Sequence, residues 1–93
     1  MPTKLSDAEV DTRLDSAPKW RYDGVALVQT FVRKDFNDAI TFVNAVAAAA
    51  NAADHHPDIS ISWNRVTIRT WSHDAGGTTD RDFQLATVLD ALP

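Results

Sequence analysis

The sequence predicts an α+β two-layer sandwich: a four-stranded antiparallel sheet with helices packed on one face, in the element order α-β-β-α-β-β-α. Three observations carry this expectation. Two segments with strand character are each interrupted by a turn signal, at Asp23-Gly24 and at Asn64-Arg65, and so read as hairpins. Apolar residues at helical spacing occur before, between and after those hairpins. Hairpins need no crossover connection, so the sheet they build is antiparallel and the helices are left to cover one of its faces.

Each element has its own local reason. Ser6 and Glu9 have capping-box spacing and Leu5 and Val10 flank them as a hydrophobic staple would, which starts a helix at Asp7 and carries it to about Ser16. Pro18 stops it. Trp20 to Tyr22 reads as a short strand, and Val25 to Arg33 as its partner, with Leu27, Gln29, Phe31 and Arg33 on one face and Val28, Thr30 and Val32 on the other. Asp35 caps the longest helix, which runs to about Ala53 with Phe36, Ile40, Val43, Ala47 and Ala50 as its apolar stripe. Its alanine-rich half, Ala47 to Ala50, suits close packing on a sheet. Ile59, Ile61 and Trp63 alternate with Ser60 and Ser62, the pattern of a strand with one buried face, and the β-branched run from Val66 to Ser72 pairs with it. Thr79 caps the last helix with Asp82 three residues on, and Leu85, Val88, Leu89 and Leu92 form its stripe.

Composition narrows the function classes. A chain of 93 residues has the size of one domain, expected over 1–93, and its 44% hydrophobic and 24% charged residues are those of a globular protein. The net charge of −4 and nine scattered Lys and Arg residues argue against direct nucleic-acid binding, which needs basic surface to displace counterions from phosphates. With no cysteine there is neither a disulfide nor a thiolate metal site. The longest apolar run, Ala45 to Ala50, is too short to span a membrane, and acids near the start stand where an export signal has its apolar core, so the expected location is cytoplasmic.

The chemistry-bearing residues concentrate in the second half. Three histidines occur, His55 and His56 in the helix-to-strand connection and His73 at the far end of the second hairpin. The start of one strand of a hairpin lies beside the end of its partner, so the three imidazoles can meet at one sheet edge, and Asp82 can join them if the Gly76-Gly77 loop folds back. Imidazoles titrate near neutrality, so one can donate a proton while another accepts one. Two alternatives stand beside that reading. Histidines before a proline can simply be solvated or bind helix-end carbonyls, and three His with an Asp can ligate zinc, although His-x-x-x-His spacing is absent. Trp20, Trp63 and Trp71 are either core residues or flat surfaces for a heterocycle; Trp71, on a strand face with Thr67 and Arg69, is the least obvious core residue of the three.

The run Asp54-His55-His56-Pro57-Asp58, followed by Trp63, His73 and Asp82, resembles the signature of the pterin-4a-carbinolamine dehydratases. Trp20 and Lys34-Asp35-Phe36 are similar to further features of that family, and the likeness extends from Leu5 to Leu92. The resemblance implies a small-molecule pterin substrate, loss of water by histidine acid-base chemistry, no cofactor, no metal, and a homodimer or homotetramer. It implies His55 and His73 as the acid-base pair, His56 as the residue that binds and polarises substrate, and Pro57 as the residue that fixes the loop. Ser72, Asp74 and Ala75 are expected to line the pocket, Trp20 to contribute to substrate binding, and Asp82 to orient a histidine. Where many members carry Glu four residues before the first histidine, this chain has Asn51, which can hydrogen-bond that imidazole without bringing charge to it. Animal members also act as dimerisation cofactors of a transcription factor, so a non-catalytic protein-binding module is the competing expectation.

Overall fold

A computed structural model describes residues 3–93 and has the expected element order. Helix α1 spans Asp7–Arg13 and continues as one 3-10 turn to Ser16; strands β1 (Arg21–Tyr22) and β2 (Leu27–Val32) follow, then helix α2 (Phe36–Ala53), strands β3 (Asp58–Ser62) and β4 (Arg65–Thr70), and helix α3 (Asp80–Asp90). All three predicted caps form. Ser6 and Glu9 close a capping box on α1, the Asp35 side chain accepts from the Asp38 N–H, and Thr79 and Asp82 close a second box on α3.

The strands form one antiparallel sheet in the order β1-β2-β4-β3, so β2 pairs with β4 and the two hairpins become a single surface. Pairing of Leu27 with Thr70, Gln29 with Ile68 and Phe31 with Val66 fixes which side chains share a face. Leu27, Val66 and Ile68 point into the core with Val10 of α1, Ala39, Phe42 and Val46 of α2, and Phe83, Leu85, Ala86 and Leu89 of α3. The opposite face carries Thr30 and Thr67, whose hydroxyls meet across the strands at 3.0 Å, together with Arg65, Arg69 and Ser60. No helix among the described residues is long and apolar enough to cross a membrane.

Four local readings change. The Asp23-Gly24 turn is a loop of residues 23–26, held by the Asp23 carboxylate accepting from the N–H groups of Val25 and Ala26, so β2 starts at Leu27 rather than Val25. The second turn lies one residue earlier than expected, at Trp63-Asn64, because Ser62 pairs with Arg65. Trp63 therefore leaves the strand face and stands 65% exposed at φ +53°. Helix α2 buries Ala39, Phe42, Val46 and Ala50, whereas Phe36 and Ile40 of the expected stripe are exposed; the helix is apolar over two adjacent stripes, and periodicity does not choose between them. Within its alanine run only Ala50 is buried, and Ala47 and Ala48 face outward.

A bulky side chain at positive φ is strained where glycine would not be. Trp63→Gly is expected to raise the free energy of unfolding by about 0.5–1 kcal/mol, the strain released less the added freedom of the unfolded chain; urea denaturation measures it, and a loss of stability contradicts the turn geometry.

Candidate active site

The C-terminus of α2 sets the position of the paired histidines. Asp54 takes the left-handed conformation at φ +50°, its N–H donates to the Asn51 carbonyl, and the His55 N–H donates back to the Ala50 carbonyl at 3.1 Å. This is a Schellman closure, and it turns the chain sharply enough to send His55 inward while His56 stays exposed. Three residues after His55 the chain enters β3 at Asp58, which pairs with Arg69 near the end of β4.

The loop after β4 returns His73 to the same end of the sheet. Ser72 forms a two-way backbone bridge with Gly77, and its carbonyl also accepts from Ala75 and Gly76, which closes residues 72–77 into a compact turn. Gly76, at φ +75°, supplies the left-handed residue that turn requires. Immediately after it, Thr79 starts α3 and brings Asp82 beneath the histidines.

Asp82 has no exposed surface and accepts four hydrogen bonds. Its Oδ1 takes one from His55 Nε2 at 2.6 Å and one from the Thr70 hydroxyl at 2.6 Å; its Oδ2 takes one from the Ser72 hydroxyl at 3.0 Å and one from the Thr79 N–H at 2.9 Å. These fill the acceptor capacity of a carboxylate. Because a carboxylate only accepts, the His55 proton sits on Nε2 and the other nitrogen, Nδ1, is the one left for chemistry. The hydroxyls behind the carboxylate have one consistent direction. The single Ser72 hydroxyl hydrogen goes to Asp82, so the Thr79 hydroxyl donates to Ser72 Oγ at 2.7 Å while Thr79 Oγ1 accepts from the Arg81 N–H.

A cleft of about 380 Å³ is lined by His55, His56 and His73 with Asp54, Trp71, Asp74 and Arg81. Its volume lies in the range that encloses a small heterocycle. The three imidazoles thus face one space within one chain. His56 Nε2 donates to the Asn51 amide oxygen at 2.9 Å, and the His73 ring stacks on Trp71 with centroids 4.0 Å apart. Among the described residues no group of three His, Asp or Glu side chains has the arrangement of a metal site.

The other expected site residues fall in different places. Ser72 is buried behind Asp82 and reaches the cleft only through it, while Pro57 and Ala75 are half-buried in the adjoining turns and do not line the cleft. Trp20 is a core residue, 4% exposed, edge-on to Phe31 and donating to Asp90 at 3.1 Å, away from the histidines. Asn51 partners His56 rather than His55, because the Schellman turn carries His55 inward. Trp71 and Arg81 are additions: Trp71 carried only an open reading, and nothing marked Arg81, although the first turn of a helix capped beside the site is where such a side chain can be found.

The whole chain matches known proteins. Residues 3–92 match the family described as "Pterin 4 alpha carbinolamine dehydratase". The chain belongs to that family. Relatives from Thermosynechococcus vestitus and a Roseiflexus species, provisionally named pterin-4-alpha-carbinolamine dehydratases, are 47% and 48% identical over 92 residues. Those residues are 99% of this chain and 97% and 99% of theirs. Among solved structures, a "transcriptional coactivator/pterin dehydratase" from Brucella melitensis superposes with a TM-score of 0.88 at 31% identity, over 96% of this chain and 97% of its own. A pterin dehydratase-like RuBisCO assembly factor of the α-carboxysome shares the fold at a TM-score of 0.66 and 24% identity, over 78% of this chain and 87% of its own.

Next to the cleft, Arg69 donates to Asp23 at 2.8 Å. Burial on its own raises the Asp23 carboxyl, but the bonds from Arg69 and from the N–H groups of Ala26 and Val25 outweigh it and hold it at about 2. The folded value is below the unfolded one, near 4, so this contribution to stability is complete above about pH 4 and drains away as pH falls toward about 2. Asp23→Asn is therefore expected to melt below the wild type at neutral pH, with the gap closing over that acid window; a gap independent of pH contradicts the assignment.

Proposed function

We propose that this chain dehydrates 4a-hydroxytetrahydropterins, in support of tetrahydropterin recycling. The observation that carries the reading is the convergence of His55, His56 and His73 on one cleft, in a member of the carbinolamine dehydratase family. In the reaction the bond from the bridgehead carbon to its hydroxyl breaks, the neighbouring ring nitrogen gives up its proton, and a carbon-nitrogen double bond forms. The products are quinonoid dihydropterin and water, with no net change of redox state. One acid and one base suffice.

His55 suits the role of base or acid through Nδ1, since Nε2 is committed to Asp82. His73, across the cleft, is the other member of the pair. His56, braced by Asn51, binds and polarises the ring. Asp82 fixes the His55 tautomer and orientation and does not itself transfer the proton, as a buried carboxylate does behind a catalytic histidine in hydrolases.

Stopped-flow absorbance on chemically generated 4a-hydroxytetrahydropterin tests the reading, and a rate no higher than in buffer rejects it. His55→Ala and His73→Ala are each expected to lower kcat/KM at least about tenfold with unchanged circular dichroism. Asp82→Asn is expected to do the same by releasing the tautomer. Wild-type rates in these variants would remove the assigned roles.

A second property has its own support. Phe36 and Ile40 stand 43% and 40% exposed on α2 beside half-buried Val43, an apolar strip that the chain's own elements leave uncovered. A second copy of the chain is the proposed cover, giving a homodimer or homotetramer. Light scattering is expected to report more than one protomer for the wild type and a smaller particle for Ile40→Asp; a monomeric wild type excludes this.

A further inference from the structure

His55 and His56 are each anchored by a hydrogen bond, to Asp82 and to Asn51. His73 is different. It is exposed, it sits in the turn that follows β4, and among the described residues its ring takes part in no hydrogen bond. What it does touch is the indole of Trp71, with ring centroids 4.0 Å apart and planes inclined by 36°.

We infer that Trp71 is the positioning residue for His73, holding the imidazole in the cleft by stacking where no hydrogen bond does so; the inference rests on the dehydratase reading for its catalytic consequence. Residues 69 and 71, two apart on β4 and its extension, project to the same side, and the His73 ring meets the indole from the turn beyond. The Arg69 guanidinium lies 5.8 Å from the Trp71 ring and is itself bound to Asp23, with Asp58 at 3.9 Å. The indole is thereby braced from the sheet by an ion pair, and passes that order outward to a side chain in a turn.

Two features suit an indole to this task. An aromatic face packs against a neutral imidazole and attracts a charged one, so His73 can keep its place through a cycle of proton gain and loss. In addition, Trp71 Nε1 is buried and has no hydrogen-bond partner among the described residues. An unpaired buried donor is unfavourable, so the side chain's value at this position lies in its ring face and not in its N–H.

The test uses Trp71→Ala, Trp71→Phe, His73→Ala and the Trp71→Ala/His73→Ala double variant, assayed by stopped flow on the carbinolamine. Trp71→Ala is expected to lower kcat at least about tenfold while KM moves less than about threefold, since orientation of a proton-transfer group is lost and not ground-state binding. Trp71→Phe, which keeps a ring face and removes the N–H, is expected to recover more than half of that loss on a logarithmic scale. In the His73→Ala background, Trp71→Ala is expected to add less than about twofold, because the two residues act as one unit.

Independent, multiplying losses in the double variant overturn the inference. So does a Trp71→Phe enzyme as poor as Trp71→Ala, which would transfer the role to the N–H. Should Trp71→Ala fail to fold by circular dichroism, Trp71→Leu replaces it with the same expectations. A readout without turnover separates this inference from the dehydratase reading. In the free wild-type protein the His73 ring protons, identified by their absence in His73→Ala, are expected upfield through the indole ring current and to move downfield in Trp71→Ala. An inactive wild type with that shift rejects the dehydratase and upholds the stacking; unmoved resonances reject the stacking whatever the activity.

Discussion

A carboxylate without any exposed surface must be supplied with donors, and meeting that requirement organises the whole histidine-bearing end of this protein. Asp82 draws its four hydrogen bonds from three separate parts of the chain: the connection after α2, the end of β4 with its following turn, and the N-cap of α3. Removing any one of these would leave a lone pair buried without a partner. The same residue is the third position of the α3 capping box, so helix initiation and histidine orientation are one structural event. Thr70 and Ser72, two residues apart on β4 and its extension, both face inward, which is why the strand can present two hydroxyls to one carboxylate.

Much of the fold could be read from local signals because those signals act locally. Capping boxes at Ser6 and Thr79 involve residues three apart, and both form as the spacing implies. What local pattern could not resolve were choices made by tertiary packing. Helix α2 has two neighbouring apolar stripes, and only the docked sheet decides that Phe42 and Val46 go inward while Phe36 and Ile40 do not. Trp63 looked like a strand residue by alternation, yet cross-strand pairing of Ser62 with Arg65 makes it half of the turn. Ile59 and Ile61 follow the expected alternation, but β3 is an edge strand, and Ile59 is left 37% exposed.

At the site, the meeting of the histidines was legible because hairpin geometry brings the start of one strand to the end of its partner, and Asp82 joins them because the turn of residues 72–77 folds back. The partners of those histidines were less so. The resemblance set Asn51 against the first histidine, His55, and the left-handed Asp54 reassigns it to His56. Trp20 was drawn to the site by likeness, whereas its burial against Phe31 and its bond to Asp90 make it part of the core. Alternation placed Trp71 on the strand face with Arg69, which lies over its ring, but the contact with His73 depends on a turn that has no periodicity to read.

The route by which the sheet is assembled has a consequence for the order in which the histidine cleft forms and comes apart. Both hairpins are short-range structures, but β2 must find β4 across the whole of α2, a non-local pairing of the kind that slows folding. The β3-β4 hairpin and the end of α2 can gather the histidines before that search is finished. They cannot supply the carboxylate, which arrives only when α3 docks. A partly folded or partly melted molecule with α3 undocked would therefore hold its imidazoles close together with the His55 ring released from Asp82, well before the sheet itself comes apart.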